Sequence, residues 1–127
     1  MNQFSGLSLA YLGDAYYELM IRKHLLNKGY TKVNDLHKQA VRYTSAKGQS
    51  IAMARLLETG LTELEESIFK RGRNAVATHK PKNVSLATYH QASGFEAVIG
   101  HLFLEGEHQR LEEIVKIAIM AVEENSD

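Results

Sequence analysis

Two acidic side chains stand where a folding chain has least use for them. In LAYLGDAYYE, residues 9–18, Asp14 is set among Leu9, Ala10, Leu12, Tyr16 and Tyr17, and in GFEAVIGHLFL, residues 94–104, Glu96 is set among Phe95, Val98, Ile99 and Phe103. An ionised carboxylate in apolar company loses several kcal/mol of solvation unless donors or a cation compensate. For either acid alone, hydrogen bonds from neighbouring amides or hydroxyls are a sufficient account. The two together open another. Gly13 adjoins Asp14, and Gly100 follows Glu96 by one helical turn. Glycine costs a helix about 1 kcal/mol relative to alanine but lets a second helix come close. If the two segments cross at these glycines, Asp14 and Glu96 face each other, and like charges brought together repel unless a divalent cation lies between them. Oxygen ligands without His or Cys neighbours suit Mg²⁺, or Mn²⁺ in its place, better than zinc. Glu18, one turn beyond Asp14, points roughly the same way and is a candidate accessory acid.

Other chemistries find little support. His24, His37, His79, His90, His101 and His108 form no i, i+4 pair with a nearby acid of the kind zinc sites use. No Gly-rich phosphate loop precedes a helix, and no Gly-x-Ser-x-Gly occurs. The absence of cysteine removes thiolate chemistry and disulfides, which suits a reducing compartment, so a cytoplasmic location is expected.

The elements that must position the acids read as helices throughout. There is one proline, Pro81, and β-branched alternation is nowhere sustained. A first helix is expected over Ser8 to Lys28, closed by Gly29, and a second after Asn34, whose side chain caps it. Ser45 starts a third. Thr62 and Glu65 match a capping box opening a helix to about Lys70, Arg71 to Val84 reads as a basic loop, and Ser85 caps a helix running through Leu104. After Gly106 a last amphipathic helix sets Leu111, Ile114, Val115, Ala118, Ile119 and Val122 on one side. The whole is an all-α chain of 127 residues, expected as one domain over 1–127. The first helix carries Leu12, Tyr16, Leu19 and Leu26 on one side and Ala10, Tyr17, Ile21 and Leu25 with Asp14 on the other. Apolar on both faces, it has more surface to hide than a domain this small covers, which predicts a symmetric dimer.

Net charge is zero but unevenly spread. From Ser67 through Phe95 there is no Asp or Glu, while Lys70, Arg71, Arg73, Lys80 and Lys82 fall inside that window; the acids Glu105, Glu107, Glu112, Glu113, Glu123 and Glu124 follow it. Such a window is ordinarily a solvated face, and next to a metal site it is a candidate surface for a polyanion.

Taken together, Tyr11-Leu-Gly-Asp-Ala15 and Phe95-Glu-Ala-Val-Ile-Gly100 resemble the paired signature helices of the ribonuclease III catalytic domain. The likeness extends through Asn34-Asp-Leu-His-Lys38, Ser45-Ala-Lys47, Lys70-Arg-Gly-Arg-Asn-Ala75 and Pro81-Lys-Asn83, and is closest to the short bacterial branch, Mini-ribonuclease III. The resemblance implies a homodimeric, all-helical endonuclease domain that cuts double-stranded RNA with Mg²⁺ and leaves 5′-phosphate and 3′-hydroxyl ends. For this branch it implies maturation of the 23S ribosomal RNA precursor, with a ribosomal protein as a candidate partner presenting it. Asp14 and Glu96 fall on the family's metal-binding and catalytic positions. Longer members also carry acids at positions occupied here by Leu7, Ala10 and Ser93, so the resemblance leaves open the number of metals per site and whether Glu18 or ordered water fills part of the gap. The last helix is expected to end near Asn125, which leaves no double-stranded-RNA-binding domain. RNA is then gripped by Lys70, Arg71, Arg73, Asn74, Lys80 and Lys82, in a salt-dependent way through phosphate contacts and A-form shape. The alternative is a catalytically silent RNA-binding or ribosome-associated module of the same fold.

Overall fold

The computed structural model describes residues 4–75 and 82–125. Six helices make up its regular structure: α1 (Gly6–Asn27), α2 (Val33–Thr44), α3 (Ala46–Thr59), α4 (Glu63–Arg73), α5 (Leu86–Leu104) and α6 (His108–Glu124). None of them is long and apolar enough to cross a membrane.

Their starts are written in capping side chains. Ser5, Ser45, Thr62 and Ser85 each accept a hydrogen bond from a backbone amide in the turn that follows, satisfying donors that the helix leaves orphaned. At Thr62 the reciprocal bond is also present, from the Thr62 amide to Glu65 Oε1 at 3.0 Å. Three boundaries differ from expectation. α1 begins at Gly6 behind its cap Ser5 and not at Ser8. Asn34 does not cap α2, which begins at Val33 behind Lys32 with no side-chain cap; burial of Ala40 and Tyr43 in the core, with Leu36 packed against it, sets where this helix lies. Arg71 and Arg73 are helical rather than loop, because Gly72 is buried where α4 meets α5, touching Ala97 and the Ser93 carbonyl.

α5 is the central rod, with α1, α3, α4 and α6 packed around it. Phe95, Val98, Ile99 and Leu102 on α5 meet Leu9, Tyr17, Ile21 and Leu25 on α1 in the core, and the Tyr17 and Phe95 rings pack edge to face with centroids 4.9 Å apart. The α1–α5 crossing is made at two glycines. A Cβ on Gly13 would fall inside the Glu96 carbonyl oxygen, and one on Gly100 inside the Leu9 carbonyl oxygen. Backbone therefore rests on backbone, and the residue after Gly13 is brought beside Glu96.

Polar ties hold the periphery. Glu65, 3% exposed, is held by Arg110 through two contacts of 2.8 Å, which join α4 to α6. The Arg110 hydrogen bonds outweigh burial and hold the Glu65 carboxyl below the usual carboxylate range.

Candidate metal centre

Asp14 and Glu96, 82 positions apart in the chain, are neighbours in the fold: their carboxyl groups lie within hydrogen-bonding reach. Their surroundings differ. Glu96 is half-buried, whereas Asp14 is exposed at the open edge of the α1–α5 crossing. The expectation of an apolar-flanked Asp14 buried within a core helix is thus corrected. Ala10, Gly13, Tyr17 and Ile21 take the buried face of α1, and position 14 falls on its margin.

Burial pushes the Glu96 carboxyl up to about 8; the shared hydrogen bond and the charge of Asp14 add to this, and the Gln49 amide, donating to Glu96 Oε2 at 3.1 Å, works against it. Without a cation the pair therefore holds a proton near neutrality. This is the electrostatic condition of a site that gains by exchanging that proton for a metal ion. The donor set, two carboxyls with one open to solvent and no His or Cys completing a metal-binding cluster among the described residues, fits a hard divalent cation. Among the described residues no group of three or more His, Cys, Asp or Glu could hold a metal, so the acids present amount to this pair.

Glu18 does not join it. Four residues past Asp14, it accepts a 3.1 Å hydrogen bond from Arg22 Nε one turn further on. Together with Leu25, Leu26 and His37 it lines a groove between α1 and α2. The positions of the missing acids are filled as the sequence indicates: Leu7 is exposed, Ala10 buried and Ser93 half-buried.

The cationic residues form a less open surface than a free loop would. Lys70 pairs with Glu66 at 3.1 Å, Arg71 Nη1 donates to the Phe4 carbonyl at 3.1 Å, and Arg73 Nε donates to Asn74 Oδ1 at 3.1 Å while its guanidinium lies over the Phe69 ring. The first four of the expected RNA contacts, Lys70, Arg71, Arg73 and Asn74, thus sit at the end of α4 and not in a loop. Lys82 lies exposed in the turn before α5, and Lys80 falls outside the described residues.

Gln49 is the residue that sequence reasoning missed. It is a buried amide reaching Glu96 from 47 positions away, and a glutamine in a helix's first turn carries no signal of that destination. The neighbouring Gly48, which presses on the Arg42 and Tyr43 carbonyls, was the available hint that the α2–α3 corner is tightly made.

The residues that build this geometry lie inside a segment of known type. Residues 7–107 match the Ribonuclease III domain. The chain belongs to the ribonuclease III family. It is 47% identical over 124 residues to Mini-ribonuclease 3 of Streptococcus pneumoniae, covering 97% of each chain. It is 46% identical to Mini-ribonuclease 3 of Enterococcus faecalis, covering 98% of this chain and 96% of the relative. A crystal structure of a Fusobacterium nucleatum protein superposes with a TM-score of 0.84 at 34% identity, over 94% of both chains. As a ribonuclease III family member the chain is an endoribonuclease, of a family that acts on double-stranded RNA and depends on divalent metal. The silent-module alternative falls with that assignment.

Proposed function

We propose that Asp14 and Glu96 together hold a divalent cation, Mg²⁺ with Mn²⁺ able to substitute, and that this pair is the catalytic centre of a double-stranded-RNA endonuclease. The observation that carries the reading is the adjacency of the two carboxyls at the Gly13–Gly100 crossing, with the Glu96 proton held up by its burial and by Asp14. Held by Asp14 and Glu96, such a cation would supply Lewis-acid chemistry toward water and the phosphate oxygens. The chain supplies the placement. Half-buried Glu96 is fixed by Gln49, and exposed Asp14 offers its carboxylate at the surface where a duplex can approach. Lys70, Arg71, Arg73, Asn74 and Lys82 are the residues proposed to meet RNA phosphates, which would place substrate grip within the catalytic unit; Lys80, also expected there from the sequence, lies outside the described residues.

The unit proposed is a homodimer, one centre per strand, because α1 leaves Leu7, Tyr11, Leu19 and Leu26 exposed along its outer side. The substrate proposed is the 23S ribosomal RNA precursor in the cytoplasm, with a ribosomal protein presenting it and products ending in 5′-phosphate and 3′-hydroxyl. The names of the relatives, each called Mini-ribonuclease 3, support this branch assignment.

Asp14→Asn tests the centre. It keeps the side-chain volume and removes the charge, so cleavage of a duplex RNA in Mg²⁺ should fall by at least about a hundredfold, the scale of losing one preorganised electrostatic group. The far-ultraviolet circular dichroism should be unchanged. Turnover equal to that of the unmodified chain would reject the assignment.

A further inference from the structure

Gln49 is 2% exposed, in the first turn of α3. Its Nε2 donates to the Thr44 carbonyl at 3.2 Å and to Glu96 Oε2 at 3.1 Å. Reversing the amide would set its oxygen against these two acceptors, so the hydrogen-bond partners themselves assign this orientation. The backbone around it is equally constrained. Ser45 Oγ accepts from the Gly48 amide at 3.1 Å, and Gly48 lies so close to the Arg42 and Tyr43 carbonyls that no Cβ fits there. The α2–α3 corner is thereby fixed, and Gln49 projects from it onto α5.

The other end of the amide is informative. Gln49 Oε1 is buried and has no hydrogen-bond partner among the described residues. A stranded acceptor carries a desolvation cost that an apolar side chain of the same length, such as methionine, would avoid while filling the same space. Packing therefore gives no reason for a glutamine at this position. A donor aimed at Glu96 does.

We propose that Gln49 is the positioning residue of the metal centre. Anchored to Thr44, its amide commits one oxygen of Glu96 to the protein and leaves the other for the cation shared with Asp14. This inference rests on the Asp14–Glu96 reading and extends it to a residue that never touches the ion. Groups that orient a ligand in this way typically contribute roughly 10–100-fold to metal affinity.

The test is calorimetric titration of Mn²⁺ into RNA-free protein, for the unmodified chain and for Gln49→Met, alongside thermal melting. The expected result is Mn²⁺ binding weakened by roughly 10–100-fold in Gln49→Met, with cleavage largely restored at saturating metal. Unaltered Mn²⁺ affinity, whatever the change in melting temperature, would overturn the proposal by reducing Gln49 to a structural part. Should Gln49→Met not fold, the unmodified protein still decides. In a ¹H–¹⁵N correlation spectrum the Gln49 side-chain amide pair should shift on adding Mg²⁺, with the same half-saturation as metal uptake. A pair that stays put overturns the proposal. Unmodified protein that takes up neither ion overturns the Asp14–Glu96 reading, and this one with it.

Discussion

Glu123 collects on one oxygen what most surface carboxylates lack. His24 Nε2 lies at 2.8 Å, Lys28 Nζ at 3.0 Å and Tyr43 Oη at 2.8 Å, so α1, α2 and α6 are tied at a point. Burial alone would raise this carboxyl, but the hydrogen bonds from His24, Lys28 and Tyr43 outweigh it and hold the group at about 2 instead of the ordinary 4.5. A depressed folded-state value stabilises the fold above the unfolded value, and that stability is lost as pH falls toward the folded one. Glu123→Gln should therefore cost about 1–3 kcal/mol at neutral pH. The difference from the unmodified chain, followed by urea denaturation, should shrink as pH is lowered from 4.5 toward about 2. A difference that stays constant across that range would contradict the network. Residues of this kind differ in how legible they are. Asp14 and Glu96 stood out because an acid in apolar sequence is anomalous wherever it lands. Glu123 and Gln49 look ordinary in the chain, and only their distant partners make them special. Glu18 shares a direction with Asp14 on a helical wheel, and in the structure its carboxylate is paired with Arg22 one turn away.

At the scale of elements, the α1–α5 crossing carries the most consequence, since it both closes the core and assembles the acid pair. Helix propensity would favour alanine over Gly100 by about 1 kcal/mol. The added methyl, however, would meet the Leu9 carbonyl oxygen, which is backbone and has no rotamer to yield. Overpacking of a tight interior typically costs about 1–3 kcal/mol, and contact with backbone lies at the upper end. The net expectation for Gly100→Ala is destabilisation of about 2 kcal/mol or more, measured by urea denaturation, with duplex cleavage reduced as Asp14 and Glu96 are pushed apart. A more stable Gly100→Ala protein would mean that propensity alone governs the site and that the helices do not touch there. Element boundaries were legible at capping side chains such as Ser45, Thr62 with Glu65, and Ser85, but not at Ser5, which caps α1 ahead of the expected start at Ser8. They were not legible where packing decides. Gly72 reads as a loop marker between basic residues, yet it is a contact point of α4 on α5, and the helix runs through it to Arg73.

For the whole molecule, the unanswered surface is the outer side of α1. Tyr11 is 84% exposed, and Leu7, Leu19 and Leu26 are also exposed along the helix that carries the exposed Asp14. Isolated apolar residues on a surface need no explanation, but four large apolar side chains exposed on the helix that carries the proposed ligand Asp14 are costly in water, and a two-fold contact is the simplest way to cover them. The sequence set Leu12, Tyr16, Leu19 and Leu26 on one side of α1; Leu19 and Leu26 are exposed, Leu12 and Tyr16 are half-buried, and Leu7 and Tyr11 add to the exposed apolar surface. Tyr11→Asp should therefore convert the protein to a monomer in sedimentation equilibrium at micromolar concentration, with the helical circular dichroism retained because the residue touches little within its own chain. The functional consequence follows from one centre per strand. A dimer cuts both strands of a duplex in one encounter, whereas a monomer that keeps Asp14 and Glu96 should leave single-strand nicks, separable on native and denaturing gels. Tyr11→Asp protein that sediments as the unmodified chain does and still makes paired cuts would place the subunit contact elsewhere, or remove the need for one.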